Sequence, residues 1–133
     1  AAACTSLADL IEKNKERCVI ATGGGICNNE PALAALRCVG MFVFLQAEES
    51  VAAERILREV HIAEDGTLQN LPAYIAKENP HTLDDVRALF HSFYEKRSLI
   101  YTDLCSVSIT MQAISPEQNK ERILAALRQK SQA

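Results

Sequence analysis

The sequence predicts an α/β domain built on a parallel sheet, and three observations carry that prediction. Short apolar runs at 18–21 and 41–45 read as strands buried on both faces, segments of helical spacing separate and follow them, and no internal repeat or low-complexity tract breaks the order. The chain has 133 residues, enough for one domain spanning 1–133.

The elements can be taken in turn. Ser6 with Asp9 three positions on reads as a helix start, and Leu7, Leu10 and Ile11 supply its apolar face. Cys18-Val19-Ile20-Ala21 then forms the first expected strand, ending in Thr22-Gly23-Gly24-Gly25. Pro31 in a first turn and Ala32 to Leu36 predict a short helix, followed by the second strand, Met41 to Leu45. Val51, Ile56, Leu57 and Val60 have helical spacing over 50–60. From about 61 to 81 the periodicity stops: Asp65-Gly66-Thr67, Pro72 and Asn79-Pro80 leave a stretch without a convincing element, which reads as a lid. Thr82 with Asp85 opens a helix whose face carries Leu83, Val86, Leu89, Phe90 and Phe93. A third strand is expected near 106–110, and Ser115-Pro116-x-Gln118 starts a last helix burying Ile123, Leu124 and Leu127.

Composition removes several classes of function. Acids outnumber bases 17 to 14, for a net charge of -3 with no basic cluster, which argues against nucleic acid as a partner. The longest nearly continuous apolar stretch, 38–45, is far short of the roughly 20 residues of a spanning helix, so no membrane is expected. The five cysteines contain no C-x-x-C pair and stand apart from His61, His81 and His91; this spacing predicts free thiols in a reducing cytoplasm and no protein metal site.

Chemistry concentrates at the glycines. Three in a row after a strand let a backbone approach a ligand and offer N–H donors, or else they serve a tight turn that needs positive φ. Arg97, in Glu95-Lys96-Arg97 near the expected end of the fourth helical segment, is either a cation favoured by the helix dipole or a fork for a planar anion.

The run Val19-Ile20-Ala21-Thr22-Gly23-Gly24-Gly25, the strand about twenty residues on, the lid-like stretch and then Arg97-Ser98-Leu99-Ile100-Tyr101 resemble, in order, features of the shikimate kinases. That family has a T-G-G-G strand end and a later R-x-P-L-Y segment; here Leu99 and Ile100 replace the proline and leucine. The resemblance implies a three-layer P-loop-kinase-like parallel sheet with flanking helices. It also implies transfer of the γ-phosphoryl group of ATP, with Mg²⁺, to the 3-hydroxyl of shikimate, in aromatic amino-acid biosynthesis. By position, Gly24 and Gly25 would meet the substrate hydroxyls and Arg97 its carboxylate.

The departures matter as much. Leu71 stands before Pro72 where the family lid has an arginine, and Arg58, Lys77 and Arg87 are the nearby cations. A P-loop kinase needs G-x-x-x-x-G-K-[ST] to hold phosphates and Mg²⁺, and no Gly-Lys dipeptide occurs in the chain. The family places that phosphate-loop strand between the two strands read at 19–21 and 41–45. The expectation is therefore an N-terminally incomplete domain, inactive alone, whose sheet is completed by self-association or by an N-terminal fragment. Three readings stay open: a shikimate kinase, a kinase-like binding or regulatory module without phosphoryl transfer, and a kinase for another small hydroxy acid.

Overall fold

The computed structural model describes residues 9, 11–13 and 18–132. Residues 9 and 11–13 are helical. Ser6, Leu7 and Leu10, on which the cap and apolar face were placed, lie outside the described residues, as does Cys4. Beyond the glycines the order is a 3-10 turn (Ile26–Asn28), α1 (Glu30–Arg37), β1 (Val43–Gln46), α2 (Glu49–Glu59), β2 (His61–Ile62), β3 (Leu68–Gln69), α3 (Ala73–Ala76), α4 (Leu83–Leu104), β4 (Val107–Thr110) and α5 (Pro116–Gln132).

The parallel character of the sheet is present in one pair. β1 and β4 run parallel, with Val43 opposite Val107 and Gln46 opposite Thr110. The connection between them carries α2, the β2–β3 hairpin, α3 and α4, as a parallel pair requires a crossover. α4 covers β1, where the rings of Tyr101 and Phe44 stand 5.3 Å apart. α5 is tied to β4 by Arg122, whose Nη1 donates to the Thr110 carbonyl at 2.8 Å.

The first expected strand is not formed. Residues 18–22 carry no ladder, and Val19 is 100% exposed. The physical reason lies in its surroundings: β1 pairs only with β4 among the described residues, so the apolar run has no strand to bond and no sheet face to lie against. Among the described residues the parallel sheet consists of the β1–β4 pair alone.

The 61–81 stretch also differs from expectation, because it holds elements. β2 and β3 form an antiparallel hairpin, His61 opposite Gln69 and Ile62 opposite Leu68. Its turn is made by Asp65-Gly66-Thr67: Gly66 takes φ +82°, and the Asp65 carboxylate accepts from the Thr67 amide at 3.0 Å and hydroxyl at 2.7 Å. Asp-Gly between short strands is a hairpin signal, so the residues that break the helical periodicity here form a turn. α3 follows with Ile75 at 0% exposure, packed with Val86 and Phe90 of α4.

Leu57 and Ile56 of α2, Leu68 of β3, and Leu71 lie against that cluster. Full burial of one such side chain stabilises a fold by about 1.5–3 kcal/mol, so this cluster is the main anchor of the crossover. Polar ties reinforce it: Tyr94 donates to the Ala47 carbonyl at 2.7 Å, His91 Nδ1 meets Glu49 at 2.7 Å, and Arg87 reaches Glu54 at 3.6 Å. The hydrogen bond that His91 donates to Glu49, with the charges of Glu49 and Glu95, raises the His91 imidazole above its ordinary value.

Helix starts agree with the sequence. Thr82 Oγ1 accepts from the Asp85 amide at 3.1 Å while Asp85 accepts from the Thr82 amide at 2.9 Å. Ser115 and Gln118 reciprocate likewise at α5, at 3.2 and 3.1 Å. Asn29 caps α1 by accepting from Ala32 at 3.2 Å, a cap that sequence reading passed over in favour of Pro31.

Candidate functional site

The glycine loop and the second half of α4 meet. Of the three glycines only Gly23, at φ +71°, occupies the left-handed region; Gly25 has φ -97°, a value any residue adopts. A turn that needs positive φ therefore accounts for Gly23 alone. A Cβ built on Gly24 would lie 3.7 Å from Arg97 Nη1, and one on Gly25 would meet open space. Neither glycine is required by a left-handed backbone, and a Cβ at 24 would only touch Arg97 Nη1.

Tyr101 fixes the loop. Its hydroxyl donates to the Gly24 carbonyl at 2.6 Å. Burial pushes this phenol up to about 12, with neighbouring Cys27 adding to the rise and Arg97 pulling the other way, so it stays protonated and donating at neutral pH. With the Gly24 carbonyl occupied, the loop presents donors: neither the Gly24 nor the Gly25 amide bonds to another group among the described residues.

Arg97 sits about two turns before the end of α4, too far inside for the helix dipole to explain it. Its Cζ lies 4.4 Å from the Tyr74 ring centroid and 5.8 Å from that of Phe93. Tyr74 and Phe93 themselves meet edge to face, centroids 5.0 Å apart. Burial raises the Tyr74 phenol, with Arg97 pulling the other way. Among the described residues Arg97 has no carboxylate partner, so its N–H groups point at nothing charged. The half-buried guanidinium and the two free amides form a donor-rich patch suited to a small carboxylate with neighbouring hydroxyls.

Of the residues expected at a site, Gly24 and Arg97 are therefore brought together, while Gly25 lies next to them and caps the 3-10 turn. Tyr101, Tyr74 and Cys27 were missed as site residues. The signal for Tyr101 was present: Phe93, Arg97 and Tyr101 are spaced four apart, one stripe of a helix. The cations considered for the lid do not gather here: Arg87 is engaged with Glu54, and Arg58 and Lys77 are exposed. Leu71, standing before Pro72, packs on the core.

A nucleotide and Mg²⁺ do not fit the donor set of these residues. No Gly-Lys-hydroxyl loop is present in the sequence, and among the described residues no three His, Cys, Asp or Glu side chains converge to hold a metal. No described helix is long and apolar enough to cross a membrane.

Parallel strands joined through helices, with a glycine loop set beside them, are compatible with the P-loop kinases that act on small molecules. The comparison with protein families narrows that class: the shikimate kinase model matches residues 4–128. The chain belongs to the shikimate kinase family. No curated protein and no solved structure matches it.

Proposed function

We propose that the chain supplies the acid-binding part of a cytoplasmic shikimate kinase, in which the γ-phosphoryl group of ATP passes to the 3-hydroxyl of shikimate. One observation carries this reading: two glycines that need no unusual φ leave amides beside an arginine, neither having a bonded or anionic partner among the described residues. Arg97 pairs through its fork with the substrate carboxylate, and the Gly24 and Gly25 amides receive hydroxyl oxygens. Tyr101 holds the Gly24 carbonyl and so fixes the plane of the Gly24–Gly25 peptide, whose N–H is that of Gly25. ATP and Mg²⁺ belong to the family's reaction, and their ligands come from outside these residues.

The segment 61–81 acts as the lid. The edge of β1 away from β4 takes a further strand, from a second copy or another segment, which covers Met41 and Leu45, each 49% exposed. Leu71 on the core, in place of a lid arginine, favours a second reading, a binding or regulatory module without phosphoryl transfer.

Titration with shikimate and a coupled assay for ADP separate these. Binding with ADP release supports the kinase, binding without turnover supports the module, and no binding defeats both. Arg97→Ala should weaken shikimate binding by about 1.5–3 kcal/mol, the worth of a charged hydrogen-bonded contact. Unchanged affinity would remove Arg97 from the site.

A further inference from the structure

We infer that Tyr74 is a positioning residue for Arg97, one that holds the guanidinium flat and turns its N–H edge toward a carboxylate. The inference rests on the reading in which Arg97 receives the acid, and goes beyond it by naming what aims the arginine and from which part of the chain.

Sequence distance hides the pair, since Tyr74 lies in α3 and Arg97 in α4. α3 is only a turn long, yet its orientation is fixed, because Ile75 is wholly buried against Val86 and Phe90. The neighbouring residue, Tyr74, is thereby laid along the part of α4 that bears Phe93 and Arg97. The guanidinium stands 4.4 Å from the Tyr74 centroid, with Phe93 at 5.8 Å, over an edge-to-face aromatic pair whose rings are inclined at 78°.

A cation over a ring face keeps its in-plane N–H groups free, and those are the groups that bind a carboxylate bidentately. An arginine without an ion partner would otherwise spread over many rotamers and would be ordered only on binding. Stacking removes part of that cost in advance. The Tyr74 hydroxyl makes no hydrogen bond among the described residues, so the ring face alone does the positioning. Because α3 directly follows the hairpin, the same contact joins the lid segment to the acid-binding arginine.

The test compares Tyr74→Leu, which keeps bulk but removes the π face, with Tyr74→Phe, which keeps the face. In the full chain without ligand, the Arg97 Nε–H resonance should show a ring-current shift that persists in Tyr74→Phe and is lost in Tyr74→Leu. Calorimetric titration with shikimate should show binding weakened about 3- to 10-fold in Tyr74→Leu and within about 2-fold of the parent in Tyr74→Phe. In an Arg97→Ala background, adding Tyr74→Leu should change nothing further. If Arg97→Ala leaves affinity intact, the acid-binding reading fails. If Arg97→Ala weakens binding while a folded Tyr74→Leu does not, the positioning role is overturned. Should Tyr74→Leu not fold, an Arg97 signal in the parent protein without ring-current shift or ring contact overturns it instead.

Discussion

Around α3, Ile75 is 0% exposed, Val86 1% and Phe90 8%, whereas near the glycine loop, in β1 and late in α4, Val19 is 100%, Leu45 49% and Leu99 74% exposed. Both regions share α4, whose first half is locked into the core and whose second half carries Arg97 and Tyr101. The cluster on the first half of α4 is closed, whereas the second half stands beside exposed apolar residues, with burial near the glycines supplied by Leu33 and Leu36 of α1. The donors at Gly24, Gly25 and Arg97 are accordingly held by a few polar and stacking contacts on a scaffold anchored elsewhere.

That contrast can be broken most forcefully at Ile75. Ile75→Ala should cost about 2–5 kcal/mol, read as a fall in the denaturation midpoint. A loss below about 1 kcal/mol would mean that α3 is not anchored as described. Tyr101→Phe removes the side-chain bond by which α4 holds the loop. It should cost about 0.5–1.5 kcal/mol, toward the lower end because the exposed Gly24 carbonyl can turn to water, and part of the loss should appear in the shikimate titration. Smallest is Val19→Ser, expected to change monomer stability by no more than about 0.5 kcal/mol. A larger loss, or conversion of a heavier species to monomer in sedimentation, would show that this side is covered in solution by the added strand proposed at β1.

Much of the closed region was legible in the sequence, because its signals are local. Thr82 with Asp85 and Ser115 with Gln118 announce their helices within four residues, and Val86, Leu89, Phe90 and Phe93 mark one face of α4. The open region was harder, since strands depend on neighbours. Cys18 to Ala21 has the composition of a buried strand, but composition cannot supply a ladder partner. Within the site, Gly24, Gly25 and Arg97 came from a resemblance to a family motif. Tyr74 could not come that way, because only the folding of α3 onto α4 brings its ring to Arg97. The hairpin was lost to a simpler cause: Asp65-Gly66 was read as an interruption when it was the turn itself.

The 22-residue span of α4 also makes that helix an angular index between the core and the site. Each residue added to an α-helix turns everything beyond it by about 100°. An insertion between Phe90 and Phe93 would leave Val86 and Phe90 seated while swinging Arg97 and Tyr101 away from the glycine loop. The hairpin tip at Gly66 carries no such phase relation and can change length without disturbing either end. Length variation in this protein is therefore confined by geometry: free at the turn, forbidden along the rod.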